Sequence, residues 1–181
     1  MKTIGVLGVQ GAIEKHIEIV RMLGNKAVRV LTEDQLRQVD ALIIPGGEST
    51  SMISQLKWYG LFELLRQTLQ DGLPVFGTCA GLILLAGELG MLDVTVKRNA
   101  YGSQINSFKT DLKVTGIDHK VPAFFIRAPL IEQVGNGAEV LSTYQNSPVL
   151  VRQRQKNCIA ATFHPELTND VSIHKLFLDN F

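Results

Sequence analysis

Leu73-Pro74-Val75-Phe76-Gly77-Thr78-Cys79-Ala80-Gly81-Leu82-Ile83-Leu84-Leu85-Ala86 is the stretch on which the fold turns. The apolar run Leu73 to Phe76 predicts a buried strand, and Leu82 to Ala86 predicts the helix that follows it. Small residues on both sides of Cys79 allow a sharp strand-to-helix turn, the geometry of a nucleophile elbow. A thiol held there sits over a helix N-terminus, whose partial positive charge favours the reactive thiolate. Taken alone, the same residues also suit a small buried cysteine in an ordinary turn.

The alternation of strand and helix continues outward from this stretch. Strands are expected over residues 3–9, 27–31 and 41–44, with helices over 12–23, 33–38, 49–58 and 61–70. In the first helix the apolar positions are Ile13, Ile17, Val20 and Leu23, and Gly24-Asn25 ends it. Shorter strands with polar turns such as Gly135-Asn136-Gly137 and Gln145-Asn146-Ser147-Pro148 follow from Leu92 to Phe163, and residues 171–181 form an end helix. The pattern implies an α/β fold of three layers, a mostly parallel, flavodoxin-like sheet covered by helices on both faces. No repeat, low-complexity segment or long linker divides the chain, so residues 1–181 are expected to form one domain.

In open α/β sheets ligands bind beyond the carboxyl ends of the strands. Gln10, Gly46, Gly47 and Cys79 each lie just after a predicted parallel strand, so three strands carry candidate groups to one edge. Pro45-Gly46-Gly47-Glu48-Ser49-Thr50 ends the third strand in two glycines followed by Ser/Thr residues able to cap a helix. Successive glycines let backbone N–H groups turn toward an anion, and with the N–H of Ala80 they form a candidate oxyanion hole. None of these loops reads as G-x-G-x-x-G or as a P-loop ending in Gly-Lys-Ser/Thr, which counts against a nucleotide-binding module of similar topology.

Near the other end of the chain stands Thr162-Phe163-His164-Pro165-Glu166. In an extended segment residues i and i+2 point to the same side. Glu166 can then bond one nitrogen of His164, fix its tautomer and leave the other nitrogen to act as a base toward a thiol. A histidine with its own carboxylate, together with a cysteine on an elbow, suggests a Cys79–His164–Glu166 triad that only the fold can assemble.

Composition narrows the field without choosing within it. At 181 residues and 45% hydrophobic residues the chain can bury a substantial core. A formal charge of +1 and the lack of long basic runs argue against a nucleic-acid surface, and no apolar stretch is long enough to span a bilayer. The start Met1-Lys2-Thr3-Ile4-Gly5 enters a strand without a signal-peptide pattern, and two cysteines do not make a disulfide framework, so the chain reads as cytoplasmic. Cys158, in Cys158-Ile159-Ala160-Ala161, is expected in the core. His16 is placed on the polar side of the first helix, His119 in a turn and His174 in the end helix. None has a partner at metal-ligand spacing, so no metal is expected. Trp58 and Tyr59 are expected to pack at a helix end.

Gly77-Thr78-Cys79-Ala80-Gly81, Pro45-Gly46-Gly47-Glu48-Ser49-Thr50 and Phe163-His164-Pro165-Glu166-Leu167-Thr168 together resemble the class I (triad) glutamine amidotransferases. Within that class the chain is most similar to the glutaminase subunits of pyridoxal 5'-phosphate synthases. Further matching runs are Ile4 to Ala12, Lys97-Arg98-Asn99-Ala100-Tyr101-Gly102 and Phe125-Ile126-Arg127-Ala128-Pro129, so the resemblance spans nearly the whole chain.

The resemblance implies an amidotransferase-like fold that hydrolyses L-glutamine without a cofactor. It also implies ammonia delivery to a (β/α)8 synthase subunit that builds pyridoxal phosphate (vitamin B6). It places Gly46, Gly47, Glu48, Arg98, Ile126 and Arg127 at the glutamine pocket. Read by themselves, Arg98 and Arg127 could equally form surface ion pairs; the pocket reading suits the carboxylate and ammonium that a free amino acid presents. Gln10 is a candidate for sensing the partner. The connection Ala86-Gly87-Glu88-Leu89-Gly90 is shorter than is common among relatives, and Tyr101-Gly102-Ser103-Gln104 replaces their Phe-Gly-Arg-Gln. Two alternatives remain: a glutaminase serving another synthase, such as the imidazole glycerol phosphate type, and a non-catalytic α/β regulatory module.

Overall fold

A computed structural model describes residues 1–98 and 107–181. The runs Asn99-Ala100-Tyr101-Gly102 and Ser103-Gln104 lie outside the described residues. The elements are β1 (Thr3–Leu7), α1 (Ile13–Met22), β2 (Lys26–Val30), α2 (Glu33–Arg37), β3 (Ala41–Ile44), α3 (Ser49–Trp58), α4 (Phe62–Gln70), β4 (Val75–Thr78) and α5 (Ala80–Ala86). They continue with β5 (Val94–Lys97), β6 (Phe108–Leu112), β7 (Val121–Phe125), β8 (Leu130–Val134), β9 (Glu139–Tyr144), β10 (Ser147–Gln153), β11 (Cys158–Ala161) and α6 (Ser172–Leu178).

Among the described residues seven strands form the central sheet, in the order β2-β1-β3-β4-β11-β10-β9. The run β2-β1-β3-β4-β11 is parallel, and β10 and β9 add an antiparallel edge. Two small antiparallel pairs, β5 with β8 and β6 with β7, stand outside it. Because successive side chains in a strand face opposite ways, every residue of β3 is buried, yet on two different sides. Leu42 and Ile44 join Met52 and Leu56 of α3, Leu65 and Leu69 of α4, and Leu82 and Leu85 of α5. Ile43 joins Ile13, Ile17 and Val20 of α1 and Ile173 and Phe177 of α6 on the other face. The three layers expected from the sequence are therefore present.

Most element bounds agree with the sequence reading to within two residues, but one cap differs in kind. The helix after the Gly-Gly pair is capped by Glu48, not by a Ser or Thr hydroxyl. Its carboxylate accepts the N–H groups of Thr50 at 3.0 Å and Ser51 at 2.6 Å, while Ser49, Thr50 and Ser51 form the first turn of α3. A carboxylate there satisfies two orphan donors and meets the positive end of the helix dipole. Trp58 and Tyr59 do not pack as expected. They are 88% and 53% exposed at the end of α3, and the chain returns to the core only at Leu61 and Phe62, after the positive-φ turn at Gly60.

Candidate active site

Strand β4 delivers the chain to Cys79 in an unfavourable backbone conformation, φ 49° and ψ −104°. Such strain persists only where the surroundings hold it. Here the Cys79 N–H donates to the carbonyl of Ala161 on the adjoining β11 at 2.8 Å. A Cβ on Gly81 would lie 2.2 Å from the carbonyl oxygen of Ile44, so only glycine lets α5 begin this close to β3. The elbow expected from Gly-Thr-Cys-Ala-Gly is thus formed, with the Cys79 sulfur 3.9 Å from the carbonyl oxygen of Ile126. Cys158 is fully buried in β11, where loss of hydration pushes its thiol well above the ordinary range.

His164 follows β11 and is tied to β7 by its N–H, which donates to the carbonyl of Phe124 at 2.8 Å. Pro165–Leu167 then form a 3-10 turn, with Pro165 at its first position. The segment is therefore not extended through Glu166, as the sequence reading supposed. The turn carries the carboxylate back to its neighbour, and His164 Nδ1 meets Glu166 Oε1 at 2.7 Å. Burial opposes the charged imidazole of His164. Its hydrogen bonds to Cys79 and Glu166, and the negative charge beside it, outweigh that cost and raise its pKa to about 10. Burial likewise opposes the Glu166 carboxylate, but the His164 bond and the nearby imidazoles keep its pKa below the ordinary value.

The Gly46-Gly47 pair lies against this dyad. A Cβ on Gly46 would fall 2.5 Å from His164 Cε1 and 3.2 Å from Cys79 Cβ. Gly46→Ala is therefore expected to displace the ring or the thiol and to lower the hydrolysis that the resemblance implies by about a hundredfold. Steady-state hydrolysis with the fold checked by circular dichroism measures this; an unchanged rate would show that the pair can relax. Gln10 Oε1 accepts the N–H of Glu48 at 2.8 Å, so the side chain after β1 holds the peptide directly following Gly47.

A cleft of about 580 Å³ opens over these groups at the carboxyl ends of β1, β3, β4 and β11. Gln10, Gly47, Glu48, Cys79, Ala80, Arg98, Ile126, Arg127 and His164 all line it. Gly46 and Glu166 complete the set from behind, through their contacts with His164. The backbone N–H bonds from Ser51 and Thr50 keep the Glu48 carboxyl below its ordinary pKa. Arg98 Nη1 donates to Thr50 Oγ1 at 3.3 Å, and Arg127 has a positive φ of 46° at the cleft wall. Ser49, Thr50, Ile83 and Pro129 are lining residues to which the sequence reading gave no role in the pocket. Among the described residues no group of three or more His, Cys, Asp or Glu side chains is arranged to hold a metal ion.

Two histidines stand elsewhere than expected. His16 is not on a polar face: it is fully buried, with Nε2 3.6 Å from Glu166 Oε2. His174 is also fully buried, and its Nε2 lies 2.9 Å from His16 Nδ1. Helical spacing carried the signal. Position 16 falls on the stripe of 13, 17 and 20, and position 174 on that of 173, 177 and 178. His119 faces Asp170 Oδ2 at 2.8 Å near the surface.

Fold and motifs define a class I glutamine amidotransferase. Residues 6–181 match the model of the SNO glutamine amidotransferase family, and the chain belongs to that family. It is 50% identical to pyridoxal 5'-phosphate synthase subunit PdxT of Niallia circulans, over 97% of this chain and 96% of the relative. Against the PdxT subunit of Kosmotoga olearia the identity is 49%, over 97% and 95%. A crystal structure of a glutamine amidotransferase superposes with a TM-score of 0.90 at 41% identity, covering 98% of this chain and 97% of the other.

Proposed function

We propose that this chain, acting as one domain, is the glutaminase subunit of a pyridoxal 5'-phosphate synthase. It would hydrolyse the side-chain amide of L-glutamine to L-glutamate and ammonia, and deliver the ammonia to a (β/α)8 synthase subunit that makes pyridoxal phosphate. The observation that carries the chemistry is Cys79 on its strained elbow, lining one cleft with a His164 that Glu166 orients. The assignment to vitamin B6 synthesis rests on the near-complete coverage by PdxT relatives. We assign the protein to the cytoplasm, where two free cysteines stay reduced.

In this reading His164 takes the proton of Cys79 as general base, and the thiolate attacks the amide carbon. The carbonyl oxygen becomes an oxyanion, stabilised by the N–H groups of Gly47 and Ala80. His164 gives its proton to the departing ammonia as the C–N bond breaks, leaving a thioester. His164 then takes a proton from water, the hydroxide adds to the thioester, and glutamate leaves as the thiol is restored. Arg98 and Arg127 suit the substrate carboxylate. Glu48 suits its ammonium, because its capping bonds use one lone pair on each oxygen and leave others free.

The Gly47–Glu48 peptide, gripped by Gln10, is well placed to act as a switch: a partner that moves Gln10 would release it and let the adjoining Gly46–Gly47 peptide, which carries the Gly47 N–H, turn into the oxyanion site. Addition of the synthase subunit is therefore expected to raise kcat for glutamine hydrolysis more than it lowers KM, since a completed oxyanion hole acts on the transition state. Steady-state kinetics with and without that subunit test the assignment. A chain indifferent to the synthase would not be its glutaminase.

A further inference from the structure

Behind the triad lies a pair of imidazoles that the reaction described above does not use. Glu166 has two carboxylate oxygens, and only Oε1 bonds His164. Its Oε2 is buried without a hydrogen-bond partner among the described residues, and so is His16 Nε2. These two atoms face each other at 3.6 Å, between fully buried side chains. The gap is longer than a hydrogen bond, yet each is the polar group the other lacks. Catalytic contacts often stand long at rest and tighten when substrate binds.

The network assigns the tautomers. The charged or titratable groups facing His16 are Glu166 and His164, on and beside the turn after β11, and His174 on α6. Burial lowers the pKa of His16, with Glu166 opposing, and lowers that of His174 further, so both rings are neutral. A lone pair on His16 Nε2 would repel the Glu166 carboxylate, so the proton sits on Nε2 and points at Oε2. His16 Nδ1 must then accept, and His174 Nε2–H donates to it across 2.9 Å. His174 is fixed in turn by the edge of Phe76, with ring centroids 5.5 Å apart and planes at 89°.

We propose that His16, braced by His174, is a positioning residue that holds the second oxygen of Glu166 and so keeps the His164 imidazole aligned on Cys79. The chain of donors runs His174 to His16 to Glu166, meeting there the donor from His164, and links α6 and α1 to the site. The carboxylate is held from both ends and cannot rotate about its last bond. Without the second donor, the one side chain hydrogen-bonded to the Glu166 carboxylate among the described residues is the group it is meant to orient. The proposal rests on the reading of Cys79, His164 and Glu166 as the working triad.

Two isosteric amides separate positioning from packing. In His16→Gln the amide nitrogen falls near the place of Nε2 and still reaches Glu166; in His16→Asn it falls near Nδ1 and does not. Glutamine hydrolysis by the complex with the synthase subunit is expected to stay near the native kcat for His16→Gln. For His16→Asn it should lose about tenfold in kcat at unchanged KM, as befits one lost bond to a charged group. In a Glu166→Ala background the two variants should become equal, because the group they differ in reaching is gone.

Equal kcat for Gln and Asn beside a native Glu166, or the same difference in both backgrounds, would overturn the role of His16. If Glu166→Gln alone left kcat untouched, the triad reading itself would fail and this inference with it. Should His16→Asn not fold, His174→Gln against His174→Leu asks the question one link back. The glutamine keeps a donor to His16 and should hold kcat, the leucine should lose it several-fold, and equal rates would overturn the brace.

Discussion

Replacing Cys79 by alanine is expected to lower glutamine hydrolysis by about 10⁴-fold or more, since the nucleophile has no substitute at the elbow. Cys158 cannot take over. It is fully buried in β11, away from the cleft, and its thiol is held protonated by the loss of hydration. The change removes one atom and leaves the strained backbone in place, because Cys79 N–H still reaches Ala161 and Gly81 still lies under Ile44. Stability and association with the synthase subunit should therefore survive. Hydrolysis rates of the native and Cys79→Ala chains, each in the complex, decide the matter. Near-native turnover by the variant would mean that the nucleophile lies elsewhere.

The contrast between Cys79 and Cys158 indicates what the sequence made legible. Both follow from strand reading: an apolar run ending in Gly-Thr-Cys-Ala-Gly must turn into a helix, while Cys158 continues an apolar run and stays within it. Parallel strands put their following loops on one edge, which is why Gln10, Gly47, Cys79 and Ala80 meet in one cleft. His164 joins them because β11 inserts beside β4, a pairing of distant segments that no local pattern specifies. The relation of His164 to Glu166 was anticipated for the wrong reason, since a 3-10 turn and not strand alternation returns the carboxylate.

Residue type misled where position would have informed. Histidine is intermediate in its tendency to be buried, so residue type did not place His16, whereas its helical position matches Ile13, Ile17 and Val20. The capping role of Glu48 was missed for a similar reason: Ser and Thr are the usual caps, and three of them follow it. Both exceptions fall at the cleft or directly behind it. That is where local rules give way to the demands of a site.

Glu166→Gln is expected to lower turnover by about 10⁴-fold, the scale seen when the carboxylate that orients a catalytic histidine becomes an amide. The physical reason is one of counting donors and acceptors. The native carboxylate presents two accepting oxygens, one to His164 Nδ1 at 2.7 Å and one toward His16 Nε2 at 3.6 Å. A glutamine amide accepts at one end only and donates at the other. If its oxygen meets His164, its NH₂ confronts the N–H of His16. If it turns round, its NH₂ meets His164 Nδ1 and forces the ring proton onto Nε2, the nitrogen that should serve Cys79.

The same substitution moves the pH dependence in a fixed direction. His164 has a folded-state pKa raised from 6.5 to about 10, so its stabilising charge is fully present below pH 6.5 and lost as pH rises through about 10. Removing the Glu166 charge leaves the burial that disfavours the imidazolium, opposed only by Cys79, so the His164 pKa must fall. NMR titration of the His164 ring should find its midpoint lower by about one pH unit or more, alongside the loss of turnover. A variant with native kcat and an unmoved titration would show that Glu166 neither orients nor charges His164, and the triad would reduce to a Cys79–His164 dyad.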